Sequence, residues 1–383
     1  MNEMMYADNY SRQFHAQDEF FDCLKAIGRR SRWERKRSKD LRLVAFTDED
    51  SKIAKELKEQ YEQEGLDIGI LTDTMENTRL VLKAKDKYYP VRSCAIKTIL
   101  DRAGISGAVL NRLEKNVYAR ILNDCLKITK GESLLRISDG KVSAVHGGDC
   151  CDYSILDMEQ VFAHVVEFLN KTFPGASFLG GFYDHTRASG LWELSRNDEL
   201  LGAYRKELEN CGLDSDDMKA ALRVSTSDVG TSGANLYPIL LCGPRQNTIA
   251  LGDPLRLSHE NGVTLEQFDK QLGLLFGKYQ AALKNLTRLL GILITNPGNC
   301  MIGIMKKVKV PKRYITEAVN LFISQNGTGS CTAHEIYCGM SEVIFMLTCE
   351  GESGGHIATM EEKLARALSL DWKEFDVPGE IKW

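Results

Sequence analysis

The chain has 383 residues, of which 43% are hydrophobic and 27% charged, and its formal net charge is −4. Such a length allows two or three domains and a large core, and the near-balanced charge excludes a polycation, so any nucleic-acid contact must come from a local patch. The start, Met1 to His15, lacks an apolar signal core, and the runs Leu289 to Ile294 and Val343 to Leu347 are far shorter than the ~20 residues that span a bilayer. The expectation is therefore a cytoplasmic protein with no membrane partner. Eleven cysteines without framework spacing read as free thiols.

The densest charge lies near the N-terminus. Arg29, Arg30, Arg32, Arg35, Lys36, Arg37, Lys39 and Arg42 face only Glu34 and Asp40, and Trp33 sits inside the run. Such a segment can neutralise phosphates while its tryptophan stacks on a base, so residues 1–45 read as a basic arm. A solvated arm, or a dock for an acidic partner, is the alternative. Leu41 to Phe46 then reads as a strand, Asp48 to Gln63 as a helix begun by Thr47, and Thr78 to Val91 as a hairpin turning near Asp86.

Around Gly104 the spacing of Ala95, Ile99, Ala103, Ile105, Leu110 and Leu113 predicts a helix pair over 92–116, resembling a helix-turn-helix. In a DNA-reading version, Ser106 to Asn116 offers Asn111, Arg112 and Lys115 to the groove; in the plainer version the pair is structural. Ser133 to Ile137 and Lys141 to Val145 predict a hairpin turning at Asp139-Gly140. The run His146 to Asp152 invites a metal or phosphate reading, but adjacent Cys150 and Cys151 suit one tetrahedral ion poorly, and it is taken as a turn before a helix at Leu156 to Leu169. The mixed region spans 46–170.

Strands dominate 171–300. Ala176 to Tyr183 and Gly190 to Ser195 precede a helix from Asp198 to Cys211 capped by Asn197, and Leu222 to Ser227, Asn235 to Cys242 and Thr248 to Leu251 precede a long helix over 264–294. Gly230, Gly233, Gly243 and Pro244 are the breakers. The order predicts an α+β fold, a central antiparallel sheet backed on one face by long helices, with the helical insertion and a helical C-terminal region, 301–383. In that last region Pro311, Thr332 to Glu335 and Thr359 to Glu362 mark three helix starts.

Chemistry-bearing candidates are few. Cys331, His334 and Cys338 have metal-compatible spacing, with Cys349 or His356 as a fourth ligand, against a reading as buried core residues. Asp184-His185, Asp228 and His259-Glu260 are possible general bases without a recognised catalytic context. Arg223 to Gly233, rich in hydroxyls and glycine, is the best anion-contacting loop, or else a hairpin turn.

The succession Ala95 to Ile105, Leu134-Leu135-Arg136 with Asp139-Gly140 and Val142, then Tyr153 with Ile155-Leu156-Asp157, resembles the phage and plasmid proteins grouped as domain of unknown function 932. The likeness covers residues 80 to 300, including Arg223 to Asp228 and the helix after His259, while His146 to Cys151 is extra length. It implies a mobile-element setting and names no catalytic residue. The leading expectation is a non-catalytic nucleic-acid-binding protein, acting on single-stranded DNA by binding or annealing. Phosphates would meet Arg29, Arg30, Arg32, Arg35, Lys36 and Arg37, bases Trp33, and a second patch Arg223, Lys306, Lys307 and Lys309. The alternatives are a factor binding a host or phage protein and a metal-dependent enzyme; homo-oligomerisation is left open, and no cofactor is expected.

Overall fold

The computed structural model describes residues 4–48, 51–107, 109–149, 152–215, 217–243, 246–259 and 262–380. Glu49, Asp50, Ala108, Cys150, Cys151, Pro244 and Glu260, which fall within segments or motifs read above, lie outside them.

The N-terminal segment is part of the fold. Strand β1 (Ser11–Phe14) leads into helix α1 (Gln17–Arg29), and β2 (Ser31–Arg37) carries half of the basic run. Helix α1 forms because Phe20, Cys23, Leu24 and Ile27 recur at helical spacing and are buried together. Strand β2 pairs along its whole length with a later strand, from Ser31 against Ser138 to Arg37 against Glu132. The basic arm read over 1–45 is thus corrected to a paired strand: alternate residues of β2 turn to opposite faces, a half-buried Trp33 with exposed Arg35 and Arg37 on one and Arg32, Glu34 and Lys36 on the other.

Next come β3 (Leu41–Ala45), α2 (Lys52–Glu64), α3 (Gly69–Glu76), β4 (Leu80–Ala84) and β5 (Lys87–Pro90). Ser51, not Thr47, caps α2 by accepting from the Ala54 amide. Helices α4 (Ala95–Arg102) and α5 (Lys115–Ile128) follow. They do not form a helix-turn-helix. Positive φ at Gly104 and Gly107 breaks the chain, Val109–Arg112 makes only a short 3₁₀ turn, and Ser106 to Asn116 offers no recognition helix. Instead α5 packs on β3.

Strands β6 (Glu132–Ser138) and β7 (Lys141–Gly147) join at Asp139-Gly140, where φ values of 49° and 75° give the turn that matches strand twist. Helix α6 (Met158–Thr172), the hairpin β8 (Ser177–Asp184) and β9 (Arg187–Glu193), α7 (Asn197–Asn210), β10 (Lys219–Thr226), β11 (Ala234–Cys242), β12 (Asn247–Ala250) and β13 (Leu255–Leu257) build the central region. The expected helix over 264–294 divides into α8 (Leu265–Gly273), opened by the Thr264–Gln267 capping box, and α9 (Leu275–Arg288). The break lets α8 pack on α6 while α9 packs on α7 and β11.

A two-residue pair, β14 (Leu293–Ile294) with β15 (Cys331–Thr332), brackets α10 (Pro297–Lys307) and α11 (Lys312–Asn326). Then α12 (Ala333–Cys349) begins at the Thr332–Glu335 capping box, and α13 (Gly354–Ala365) begins at Ser353. Thr359 is interior to α13, its hydroxyl bonded to the Gly355 carbonyl, so the start expected there is corrected. Pro311 likewise stands just before α11 rather than inside it.

The fold is α+β. Its main antiparallel sheet runs β1-β8-β9-β10-β11-β12, with β13 also on β11. Strand β11 is buried on both faces: Leu236 and Leu240 join the large core with α1, α6, α7 and α9, while Tyr237, Ile239 and Leu241 meet Ala365 on the other side. Helices thus cover both faces rather than the one expected. Two smaller sheets, β2-β6-β7 and β3-β4-β5, share a second core with α4 and α5. Among the described residues no helix is long and apolar enough to cross a membrane.

A charged staple ties the N-terminal segment down. Lys141 Nζ, wholly buried, meets Asp8 at 2.5 Å and also Asp73, while Arg92 donates to the Tyr6 and Ala7 carbonyls at 3.0 and 3.3 Å. Removing Asp8 strands part of this charge. Asp8→Ala is expected to lower stability by about 3 kcal/mol in urea unfolding, and Asp8→Ala with Lys141→Met to recover part of it. A loss of under about 1 kcal/mol would contradict the staple's role.

Candidate functional site

Arg136 stands among Leu134, Leu135 and Ile137 in β6. The β6–β7 register shifts at Arg136/Ile137, a bulge of the kind that re-aims a side chain. Its guanidinium reaches Asp228 in the β10–β11 connection, with Nε at 2.9 Å and Nη2 at 2.7 Å from Oδ2, and Nη1 donates to Ser143 Oγ at 3.3 Å. Both charges are buried, and the pair joins the β2-β6-β7 sheet to the main one.

Beside it stands a column of rings. His146 stacks on Tyr153 at 3.8 Å with 5° between planes, and Tyr153 on His259 at 5.0 Å and 2°. Trp33 leans on the column, 5.6 Å from Tyr153 and 6.1 Å from His146, with the Arg136 guanidinium 5.9 Å from its ring centre. The polar tips are used: His146 Nε2 donates to the Asp228 carbonyl at 3.2 Å and Tyr153 Oη to the Ser227 carbonyl at 3.3 Å. His259 Nδ1 donates to the Ser154 carbonyl at 3.1 Å. These bonds fix the tautomers, leaving a lone pair on Nδ1 of His146 and on Nε2 of His259. Burial pushes His146 down to about 4 and lowers His259 as well, so both imidazoles are neutral at pH 7.

Two clefts flank the column. One, of about 380 Å³, is lined by Lys25, Arg29, Trp33, Arg136, Asp157 and Asp228. Burial raises the Asp157 carboxyl, and a hydrogen bond from Trp33 acts against that rise. The other, of about 490 Å³, takes in His146, Tyr153 and His259 together with Arg187, Asn235 and the turn at Gly230 to Gly233. Gly230 is needed there, since its φ is +72° and a Cβ would come within 3.1 Å of the His146 ring.

The basic residues separate into engaged and available ones. Arg30 pairs with Asp139 at 3.3 Å, and Arg32 and Lys36 both pair with Glu34 at 2.9 Å. Arg29, Arg35 and Arg37 are exposed. Arg223 does not belong to a phosphate patch: it is ion-paired with Glu361, and burial lowers it to about 10. Lys306, Lys307 and Lys309 lie at the end of α10, which packs on α11 and α12, whereas β2 packs on β6 and α1. The Lys309 carbonyl accepts from Lys363 at 3.2 Å.

The metal reading is corrected. His334 Nε2 is engaged by the Tyr204 hydroxyl at 2.6 Å, Cys338 Sγ lies 3.9 Å from Nδ1, and burial pushes the Cys331 and Cys338 thiols up to about 12. Cys331 is held in the β14–β15 pair, His356 bonds Glu352 at 2.9 Å, and among the described residues no group of three or more His, Cys, Asp or Glu side chains is placed to hold an ion. Asp184 accepts the Thr186 and Arg187 amides of its turn at 2.7 and 2.9 Å, and His185 is buried against the Ala7 carbonyl, so this pair is structural. The Arg223 to Gly233 loop closes on itself through Ser227 Oγ, which accepts from the Val229 and Thr231 amides at 3.2 and 3.3 Å.

Tyr153, Arg187 and Asn235 were missed as site residues, and Arg136 carried a usable signal, a charge amid Leu134, Leu135 and Ile137. No family model matches the chain, nor does any curated protein or solved structure.

The depressed histidines give a pH dependence. Between the ordinary value of 6.5 and about 4 the unfolded chain protonates His146 while the folded one does not, so this contribution is whole above 6.5 and is lost as pH falls toward 4. It amounts to about 3 kcal/mol. His146→Gln is expected to show a shallower fall in urea midpoint from pH 6.5 to 4 than the parent protein; identical slopes would refute it.

Proposed function

We propose that the protein binds single-stranded nucleic acid along the exposed side of β2, with Trp33 as the stacking ring. The observation that carries this is the shared face of Trp33, Arg35 and Arg37, which alternate along one strand beside the cleft that Lys25 and Arg29 also line. Aromatic faces take any base, and flanking cations follow the backbone, which is how sequence-tolerant single-strand binding works. The cleft itself is balanced, with Asp157, Glu159 and Asp228 against Lys25, Arg29 and Arg136. Phosphate attraction therefore rests on Lys25, Arg29, Arg35 and Arg37, a revision of the set read from the charge run. A mobile-element setting, as the family likeness implies, suits such a protein. No catalytic step is part of the proposal.

Four phosphate contacts correspond to a slope of about −3 for log affinity against log salt on a single strand. Fluorescence anisotropy with a labelled oligonucleotide is expected to give that slope, and Arg35→Glu with Arg37→Glu to reduce it by about half. Trp33→Leu is expected to weaken binding by about 1–3 kcal/mol while leaving the slope unchanged. Absence of binding at low salt, or binding indifferent to salt, would refute the proposal.

A further inference from the structure

The larger cleft, about 490 Å³, falls within the range of small-molecule sites, roughly 300–1,000 Å³, and its polar lining is incomplete in a specific way. His259 is only 5% exposed, and its lone-pair nitrogen, Nε2, has no partner among the described residues. Asn235, 6% exposed, donates its amide N–H groups to Ser232 Oγ at 2.9 Å and Tyr237 Oη at 3.0 Å. The direction of those bonds is settled by their neighbours. Tyr237 donates its own hydrogen to Glu362 at 2.6 Å and Ser232 donates to the Gly233 carbonyl at 3.0 Å, so both oxygens accept from Asn235. Asn235 Oδ1 is thereby the acceptor end of the amide, and it too lacks a partner. Arg187 Nη1 is buried without a hydrogen bond, 3.7 Å from Glu362.

Two unmet acceptors and one unmet donor thus belong to residues lining one cavity, each closed to water, so a ligand reaches them as the lining side chains shift. Each group left unmet opposes folding, so a ligand that meets all three gains what the protein lacks. An inorganic phosphate supplies acceptors only and meets Asp101, Asp152 and Glu362 in the same lining. A simple amine supplies donors only and meets Arg187 and Arg256. A neutral planar heterocycle with an amino group and a ring acceptor supplies both kinds.

We propose that this cleft binds an amino-bearing nucleobase, its N–H groups on His259 Nε2 and Asn235 Oδ1 and its ring acceptor on Arg187. Burial keeps His259 neutral, so the accepting lone pair is present at pH 7. The base comes either from a free nucleoside or from a strand lying along β2; the pocket chemistry is the same, and it does not depend on the β2 proposal.

Isothermal titration of the full chain with cytidine, adenosine, guanosine, thymidine and putrescine tests it. At least one of the three amino nucleosides is expected to bind saturably and raise the Tm, with thymidine, which has a single ring N–H, and putrescine binding at least about tenfold more weakly. Asn235→Ala is expected to weaken nucleoside binding about tenfold; should that variant fail to fold, the base selectivity of the unaltered protein decides alone. Binding of none of the amino nucleosides, or equal binding of thymidine or putrescine, overturns the proposal. The Arg35→Glu, Arg37→Glu variant separates the two readings, since it weakens oligonucleotide binding and is expected to leave nucleoside affinity unchanged. Competition between cytidine and an oligo-dC strand assigns the base to a bound strand; independent binding assigns it to the free nucleoside.

Discussion

The buried ion pair of Arg136 and Asp228 is the joint on which the candidate site depends. The two main cores are separate apolar clusters, one under the seven-stranded sheet and one under the two small sheets. Apolar packing alone is non-directional and sets no register between them. The pair does so because two N–H groups of Arg136 converge on one carboxylate oxygen. The same connection is gripped twice more, at the Ser227 and Asp228 carbonyls, by Tyr153 and His146. With side chain and two successive carbonyls held, the β10–β11 loop cannot shift without stranding a buried charge. Both clefts take their shape from that fixed loop.

The Asp8 staple performs a related task. Lys141 extends from β7, Arg92 from the approach to α4, and Asp8 from the segment before β1. That segment then enters the main sheet beside β8, so the staple also crosses between the two cores. Buried ion pairs are weak contributors to net stability compared with apolar packing, but they are strict about geometry. Using them at the joints and leaving the interiors apolar separates two requirements, stability within each core and placement of one against the other.

How far this was legible in the sequence follows the range of the interactions. Local rules did well: the Asp139-Gly140 turn, the Thr264 and Thr332 capping boxes and the strands read at Leu222 to Ser227 and Asn235 to Cys242 are properties of a few adjacent residues. Gly104 has the positive φ read for it, yet a second positive φ at Gly107 and a short 3₁₀ turn stand where the second helix of the pair was expected. Charge density misled where pairing was non-local. Arg223 looks like any basic residue until Glu361, far along the chain, is found against it. The basic run looks like an arm until Ser133 to Ser138 is seen as its partner strand. The site was hardest to see, because His146, Tyr153, His259 and Asn235 come from four separate segments and only a ring stack and a loop unite them.

That stack also explains why the two clefts offer different chemistry across one thin wall. On the Trp33 side the nearest buried arginine is already neutralised by Asp228, so charge discrimination falls to cations out in solvent, where salt screens it. On the His259 side the unmet groups are buried and two of the three are uncharged, so the recognition proposed there would run through hydrogen-bond direction and depend little on salt. The tautomers that make this possible are set by backbone carbonyls, which do not titrate. On the proposed readings, a single folded arrangement of β6, β7 and the β10–β11 loop therefore holds a salt-sensitive surface and a salt-insensitive pocket side by side.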